Sequence, residues 1–276
     1  MLIAQITDLH IRPRGKLAYG RVDTNAMLEA CVASIRALPG QPDVVLVSGD
    51  LTDCGLAEEY AVLREILAPL AMPVYVIPGN HDRRETLRAA FADHGYLPNG
   101  GGYLNYAVDD HPVRLIGLDT VVAGEGFGLM DQPRLDWLAA ALADGGDRPT
   151  VIFMHHPPFV TGIASMDAIN CRGGDRLAAI VARHPNVERV LTGHHHRPVQ
   201  IRWAGTIGMV APSPAHQVML DLDGREADAR IKMEPPAYCL HQWTPGTGMI
   251  SHQCYVGTFD GPWPFTLDPD YPAYKG

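Results

Sequence analysis

The chain has 276 residues, of which 46% are apolar and 19% are charged, and its formal net charge is −9. This length and composition are typical of one large globular domain, or of one domain with a modest appendage. An acidic chain without clustered Lys and Arg lacks the surface that extended nucleic-acid binding requires, so nucleic acid is not an expected partner.

The hydropathy pattern and the cysteines indicate the cellular compartment in which the protein is expected. No apolar run reaches membrane-spanning length, and the first predicted strand begins at Leu2, so neither a membrane span nor a signal peptide is expected. The cysteines are odd in number and form no Cys-x-x-Cys pair, which favours a reducing cytoplasm and leaves an intersubunit disulfide open. They are Cys31, Cys54, Cys171, Cys239 and Cys254.

The first half of the chain alternates strand-like and helix-like segments. Apolar runs, rich in β-branched residues, predict strands over residues 2–7, 43–48 and 73–78. Helices are predicted over residues 25–38, with Asp23 or Thr24 as the cap, and over residues 58–70. This alternation is typical of parallel crossover units.

The second half continues in the same way as far as residue 199. Strands are predicted over residues 114–120, 150–156 and 187–193, with helices over residues 134–144 and 174–184. After residue 199 the helical periodicity disappears. The segments "AYCLHQW" (237–243) and "MISHQCYV" (249–256) flank "TPGTG", which predicts a hairpin.

Polar clusters follow five of these strands. Their letters are "DLH" (8–10), "GD" (49–50), "GNHD" (79–82), "HH" (155–156) and "GHHH" (193–196). The carboxyl ends of parallel strands form the crevice where open α/β sheets bind ligands, so we expect these five clusters to meet. A glycine precedes three of the clusters and allows the backbone to turn sharply.

The clusters offer nitrogen and oxygen donors without a thiolate. Such a set suits Zn, Mn, Fe or Co, and its size suits two ions that share a bridging carboxylate. On an extended segment alternate side chains point the same way, so His194 and His196 are expected to face the crevice while His195 points elsewhere.

The motifs "DLH", "GDLTDCG", "GNHD", "MHHPP" and "GHHH", in this order over residues 1 to about 200, resemble the calcineurin-like metallophosphoesterase superfamily. "GDLTDCG", "VIPGNHD" and "FMHHPP", with "CLHQW" and "GPW" near the C-terminus, are similar to the class III cyclic nucleotide phosphodiesterases and bacterial glycerophosphodiesterases. The resemblance implies an α/β (α+β sandwich) fold, in which two packed mixed β-sheets are flanked by helices and a dinuclear metal site lies at the C-terminal strand edge. Residues 1–200 would form the catalytic core, and residues 201–276 would add final core strands and a small β-hairpin cap or oligomerisation region.

The resemblance also implies roles for individual residues. It places the first metal on Asp8, His10 and His196. It places the second on Asn80, His155 and His194, with Asp50 as the bridge. His81 matches the family's outer-sphere histidine near the substrate, and His156 matches the non-ligand of its pair. The chain departs from the commonest family pattern at His195, where relatives often have Asn.

The resemblance implies a hydrolase that cleaves small phosphodiesters, either glycerophosphodiesters or 3',5'-cyclic nucleotides, and the donor set suits attack by a metal-bound hydroxide. Asp50, Asn80 and His81 are the expected catalytic residues, and His81, His216 and Arg12 the expected substrate contacts. Asp82 would either orient His81 or cap the helix that follows. The resemblance implies a homo-oligomer. A metal-dependent phosphomonoesterase or nucleotidase and a non-catalytic scaffold remain alternatives.

Overall fold

The computed structural model describes residues 1–225 and 228–264. Its helices are α1 (Thr24–Arg36), α2 (Ala57–Leu67), α3 (Arg84–Ala90), α4 (Gln132–Asp144), α5 (Ala164–Asp167) and α6 (Gly174–Val181). No helix in these two ranges is long and apolar enough to span a membrane. The end of the proline-rich tail, which belongs to the predicted cap region, lies outside the described residues.

The first seven strands are β1 (Leu2–Ile6), β2 (Val44–Val47), β3 (Val74–Val76), β4 (Tyr106–Val108), β5 (Arg114–Leu118), β6 (Gly128–Leu129) and β7 (Thr150–Met154). Five of these strands agree with the apolar runs of the sequence, and the short β4 and β6 were not predicted. The remaining strands are β8 (Cys171–Arg172), β9 (Val187–Thr192), β10 (Val199–Trp203), β11 (Thr206–Val210), β12 (Gln217–Val218), β13 (Ile231–Lys232), β14 (Ala237–Thr244) and β15 (Gly248–Tyr255).

Two mixed sheets form the centre of the molecule. The first has the order β15-β14-β1-β2-β3, and the second has the order β10-β11-β9-β7-β5-β4. Strands β1, β2 and β3 are parallel, as are β5, β7, β9 and β11, while β14, β15, β4 and β10 run antiparallel to their neighbours. The prediction of two packed mixed sheets is confirmed.

The two faces of the second sheet pack against different partners. On β7, Val151 and Phe153 join the large core that the two sheets share with α1 and α2. Ile152 and Met154 on the same strand join a second core under α4 and α6. Since side chains alternate along a strand, this division produces four layers: helices, sheet, sheet and helices.

Local signals explain where the helices begin. The Asp23 carboxylate accepts a hydrogen bond from the Ala26 amide, and Asp131 accepts one from the Arg134 amide, so each acts as a helix N-cap. The cap of α1 is therefore Asp23 rather than Thr24.

The C-terminal hairpin is present and extends the first sheet. β14 pairs with β1 in register Leu2 to Gln242, and β15 pairs with β14 along its full length. Tyr238 and Cys239 of β14 are buried in the core. The residues after 200 thus supply strands to both sheets, because β11 also pairs with β9.

Candidate dinuclear metal site

All seven predicted ligand residues meet at the carboxyl-terminal edge of the parallel strands. Six of them are buried, with relative exposures from 0% to 6%, although each carries a polar side chain. These are Asp8, His10, Asp50, His155, His194 and His196; the seventh, Asn80, is partly buried. Burial of this many polar groups is costly unless each has a partner.

One group of donors surrounds His10. Its Nε2 lies 3.3 Å from His196 Nε2 and 3.7 Å from Asp50 Oδ2. His196 Nε2 in turn lies 3.3 Å from Asp8 Oδ1. His196 Nδ1 donates to the His216 carbonyl at 3.0 Å, which leaves its Nε2 as a lone-pair donor directed at the group.

A second group surrounds His155. Its Nδ1 donates to the Ser48 carbonyl at 2.9 Å, which directs its Nε2 towards the group. That Nε2 lies 3.1 Å from Asn80 Oδ1 and 3.3 Å from Asp50 Oδ2. The His194 ring lies 5.1 Å from the His155 ring, and His194 Nε2 is buried without a hydrogen-bond partner among the described residues.

Asp50 belongs to both groups. Its Oδ1 accepts a hydrogen bond from the His81 amide at 2.9 Å, which fixes the carboxylate and turns Oδ2 towards His10 and His155. Burial alone would raise the pKa of Asp50, but the imidazoles of His155 and His81 hold it well below the usual value of 3.8. The shared carboxylate is therefore ionised.

The residues present fit two metal ions. His10 Nε2 and His196 Nε2 point at each other across 3.3 Å, so a shared proton or a cation bound by both nitrogens satisfies the pair. His194 Nε2 is an orphaned buried nitrogen. Burial and neighbouring imidazoles lower the pKa of His194 and of His196 well below 6.5, so both rings are neutral, the state in which imidazole binds metals.

The backbone around these side chains is strained. Five of the seven residues have a positive φ, although none is glycine: Asp8 (56°), His10 (46°), Asp50 (49°), His194 (72°) and His196 (54°). L-residues rarely adopt this conformation, and such residues cluster at functional sites. His194 and His196 therefore reach the site from two left-handed bends, rather than from the extended segment that the sequence pattern suggested.

Motif glycines allow the loops to pack together closely. A Cβ atom at Gly79 would overlap Asp50 Oδ1, and a Cβ atom at Gly193 would overlap Thr7 Oγ1 and Asp8 Oδ2. The glycines that precede the ligands are thus needed because two ligand-bearing loops touch at these points.

Asp53 is a site residue that the sequence reasoning missed. Its Oδ1 lies 3.2 Å from His10 Nδ1, and its carbonyl accepts a hydrogen bond from His81 Nδ1 at 2.9 Å. The contact between the Asp53 carboxylate and His10 is a carboxylate–histidine pair of the kind that orients metal ligands in other proteins. Asp53 lies in the "GDLTDCG" motif, three residues after Asp50, and that spacing was the available signal.

Asp82 neither orients His81 nor caps α3. Its carboxylate accepts hydrogen bonds from the Leu51 and Thr52 amides, from the Thr52 and Tyr60 hydroxyls and from the Gly79 amide. Helix α3 begins at Arg84 without a side-chain cap. Both predicted roles for Asp82 are therefore wrong, and the residue joins the Asp50 loop to the Asn80 loop.

Arg12 does not contact the substrate space. Its guanidinium binds the fully buried carboxylate of Glu59 at 2.8 Å and lies 3.4 Å from Asp53 Oδ2. A buried carboxylate needs a cationic partner, and Arg12 provides it. Arg12 therefore supports Asp53 from the side away from His10 and lines neither of the two cavities described below.

His195 turns away from the ligands. Its Nε2 contacts Asn170 Oδ1 at 2.7 Å, and its Nδ1 contacts the Thr161 hydroxyl at 3.1 Å. His156 is likewise turned aside, with Nδ1 2.7 Å from the Thr120 hydroxyl. Both residues fix the loops that carry the neighbouring ligands.

Two cavities share Asn80 and His81. The smaller, of about 210 Å³, is the space among the predicted ligands, because His10, Asp50, His194 and His196 line it. Its other lining residues include Tyr19, Met166, Ile169, His216, Val218 and Arg230. The larger, of about 520 Å³, is lined by Cys54, Arg83, Arg84 and Val121. Tyr19, His81 and His216 thus line these cavities, and contact of His81 or His216 with a substrate stays a prediction.

The site combines buried imidazoles, carboxylates and an amide around a shared Asp50, at the strand ends of a two-sheet sandwich. These are the features of a dinuclear metallohydrolase. The calcineurin-like phosphoesterase family model matches residues 1–198. The chain belongs to this family, which uses a dinuclear divalent metal site.

Comparison with individual proteins gives more detail than the family match. It is 40% identical to the probable glycerophosphodiester phosphodiesterase GpdQ of Arcobacter nitrofigilis, over 96% of this chain and 97% of the relative. It is 34% identical to a probable cyclic nucleotide phosphodiesterase of Rhodopseudomonas palustris, over 95% and 94% of the two chains. A dimetal phosphatase from Danio rerio has the same fold, with a TM-score of 0.63 at 13% identity over 93% and 99%. The predicted enzyme class, a metal-dependent phosphodiesterase, is confirmed.

Proposed function

We propose that this enzyme hydrolyses glycerophosphodiesters at a site that holds two metal ions. The observation that carries the proposal is the 40% identity to a probable glycerophosphodiester phosphodiesterase over nearly the whole of both chains, the C-terminal hairpin included. 3',5'-Cyclic nucleotides are the second candidate substrates, since the Rhodopseudomonas palustris relative spans the chain almost as completely.

We assign the first ion to Asp8, His10 and His196, the second to Asn80, His155 and His194, and the bridge to Asp50. The distances within the two donor groups and the position of Asp50 Oδ2 between them support this assignment. Mn, Fe, Zn and Co all suit the mixed nitrogen and oxygen donors.

When bound, the ions supply an activated water and neutralise charge on the phosphoryl group. The chain's own residues set the geometry around them. The His81 amide orients Asp50, and Asp53 and Ser48 fix the ring orientations of His10 and His155. The His81 ring, held at Nδ1 by the Asp53 carbonyl, is 33% exposed at the junction of the two cavities, where it can hydrogen-bond an ester oxygen of the substrate.

We also propose a cytoplasmic homo-oligomer. The five cysteines are free thiols, which suits a reducing compartment. β15 forms the edge of the first sheet, pairs with no further strand among the described residues, and has Ile250 and Tyr255 44% and 52% exposed. An eight-residue edge strand of this kind is suited to pairing with a second copy. Light scattering of the purified protein tests this assembly, and a monomer at micromolar concentration would contradict it.

The activity is tested with metal-stripped protein to which Mn²⁺ is returned. We expect metal-dependent cleavage of bis(p-nitrophenyl) phosphate with a much slower rate on p-nitrophenyl phosphate, and cleavage of glycerol-3-phosphoethanolamine faster than that of 3',5'-cyclic AMP. A faster rate on the monoester would favour the phosphatase alternative. Absence of turnover in protein shown to hold two ions would favour the scaffold.

A further inference from the structure

Gln5 is a fully buried amide in an otherwise apolar strand. It is the one polar residue of β1, whose sequence is LIAQI, and its relative exposure is 0%. β1 lies between β14 and β2, so solvent does not reach the side chain from a sheet edge. Burial of an amide is costly unless its hydrogen-bonding groups find partners. The positions of those partners therefore indicate what Gln5 contributes.

The Gln5 amide joins the two sheets. Its Nε2 donates to Ser48 Oγ at 2.9 Å and to the Thr192 carbonyl at 3.1 Å. Ser48 directly follows β2 of the first sheet, and Thr192 is the last residue of β9 in the second sheet. One NH₂ group thus forms a polar bridge between the sheets at the carboxyl-terminal ends of both strands.

The predicted ligands are divided between the same two sheets. Asp8, His10, Asp50 and Asn80 follow strands of the first sheet, and His155, His194 and His196 follow strands of the second. Each donor group contains ligands from both sheets, so the spacing of the sheets sets the distances within the group. The 3.3 Å between Asp50 Oδ2 and His155 Nε2 is one such distance.

Both partners of Gln5 Nε2 are connected to ligands of the second group. The Ser48 carbonyl accepts the hydrogen bond from His155 Nδ1 at 2.9 Å. Thr192 lies two residues before His194, and the Gly193 amide between them donates to the His155 carbonyl at 2.9 Å. A displacement of Ser48 or Thr192 would therefore move an imidazole of this group relative to Asp50.

The C-terminal hairpin fixes the orientation of the Gln5 amide. Gln5 Oε1 can only accept a hydrogen bond, so His241 Nε2 donates to it, at 3.1 Å. The His241 ring is fully buried, and its Nδ1 lies 2.8 Å from the Ser251 hydroxyl. No described residue of β14 or β15 lines either cavity. The hairpin is thus connected to the site by hydrogen bonds through Gln5.

We propose that Gln5 is a positioning residue for the second ion. It fixes the spacing of the two sheets at His155 and His194, and His241 fixes the orientation of its amide. The inference rests on the proposed dinuclear site and gives a role there to a residue that contacts neither ion nor substrate. It also gives the C-terminal hairpin a part in metal binding.

An apolar side chain of similar volume at position 5 tests the proposal. In Gln5→Met, Ser48 Oγ and the Thr192 carbonyl lose their donor. We expect the Mn²⁺ affinity of the second group to fall by about 10–100-fold and that of the first group to fall less. Calorimetric titration of the metal-free protein measures both affinities.

Tyr106→Phe is the matched control. The buried Tyr106 hydroxyl of β4 donates to the Val76 carbonyl of β3 at 2.7 Å, which is another hydrogen bond between the two sheets. Neither residue is hydrogen-bonded to a predicted ligand in the part of the chain that the structure describes. This variant should lower the midpoint of urea unfolding and leave both Mn²⁺ affinities unchanged.

A double variant separates positioning from stability. Gln5→Met leaves His241 Nε2 without an acceptor, which lowers the stability of the fold. Gln5→Met/His241→Leu removes this unpaired group, so the midpoint of urea unfolding should rise again while the Mn²⁺ affinity stays as low as in Gln5→Met. If Gln5→Met does not fold, the double variant is compared directly with the wild type.

Three results would overturn the proposal. They are a wild-type affinity of the second group in Gln5→Met, a recovery of affinity together with stability in the double variant, and an equal loss of affinity in Tyr106→Phe. All three are measured without substrate, so they are distinct from a wild type that binds two ions and cleaves no diester. A wild type that binds fewer than two Mn²⁺ ions would refute the proposed dinuclear site and this inference with it.

Discussion

Asp50 Oδ2 lies between the two donor groups, 3.3 Å from His155 Nε2 and 3.7 Å from His10 Nε2. Replacing this oxygen in Asp50→Asn removes a charge that both ions would share, so we expect kcat/KM to fall by about 100-fold or more. Metal content, measured by mass spectrometry, should drop below two ions per chain. Asp136→Asn on the exposed face of α4 should retain both ions and full activity. Retention of both ions by Asp50→Asn would refute the bridging role.

Asp53 acts on the site through His10. The contact of 3.2 Å between its carboxylate and His10 Nδ1 fixes the ring orientation that presents Nε2 to the first group. Asp53→Asn should weaken binding of Mn²⁺ at this group by about 10–100-fold while the second group is affected less. Calorimetric titration of the metal-free variant measures both affinities. An equal loss at both groups would indicate general damage to the loop instead.

At the scale of secondary-structure elements, the sequence predicted the long regular segments well. Strands such as β2 and β7 are buried on both faces and are therefore continuous apolar runs, and α1 and α4 carry acidic caps that sequence patterns reveal. β10 was not predicted, because it lies at a sheet edge and alternates partly buried with exposed residues. Its place depends on pairing with β11, which local sequence does not encode.

The site, like the strands, was predicted only in part. The order of the motifs identified the seven residues that meet at the site, but it did not reveal the contacts of Arg12, Asp53 and Asp82. Each of these roles depends on contacts between loops that are distant in the sequence, such as the pairing of Arg12 with Glu59. A charge next to a ligand in the sequence can face the core, and only the packing of the elements decides which charges reach the substrate.

The loop between β9 and β10 depends on Gly193. Because a Cβ atom there would overlap Thr7 Oγ1 and Asp8 Oδ2, Gly193→Ala should displace the His194 backbone and lower the free energy of unfolding by about 2 kcal/mol or more. Urea unfolding and Mn²⁺ titration test both effects. Gly40→Ala is the control, since a Cβ atom at Gly40 meets no heavy atom within 4 Å.

The hairpin is attached to β1 through a buried histidine. His241 Nε2 donates to Gln5 Oε1 at 3.1 Å, and Nδ1 contacts the Ser251 hydroxyl at 2.8 Å. Burial, and then the charge of Arg189, lowers the pKa of His241 from 6.5 to about 3. Between these values the unfolded chain binds a proton that the folded chain excludes, so stability falls as the pH falls below 6.5.

Comparing His241→Gln with the wild type isolates this contribution. Between pH 6.5 and 5, the unfolding free energy of the wild type should fall more steeply than that of the variant. The difference between the two slopes should be up to about 1.4 kcal/mol per pH unit. Urea unfolding at both pH values measures the difference. His94→Gln, an exposed position outside the hairpin, should keep the wild-type slope. Equal slopes for His241→Gln and the wild type would show that His241 is not the group responsible.

At the scale of the whole molecule, the two sheets tie the ends of the chain together. β14 pairs with β1, and β11 pairs with β9. A chain that ends at residue 200 would lose four strands of the two sheets and leave the edges of β1 and β9 open. We expect this fragment to show no cooperative thermal unfolding by circular dichroism, although it holds all seven predicted ligands. A cooperative transition in the fragment would show that residues 1–200 fold alone.

The five left-handed ligand residues have a consequence for the lifetime of the protein in a cell. Such conformations cost on the order of 1 kcal/mol or more each, and five of them amount to a large part of a typical net stability of about 5–15 kcal/mol. Bound ions offset this cost, so chains made during metal shortage would unfold more often and be degraded sooner. Metal supply would thereby regulate the amount of this enzyme through its turnover, without any dedicated sensor.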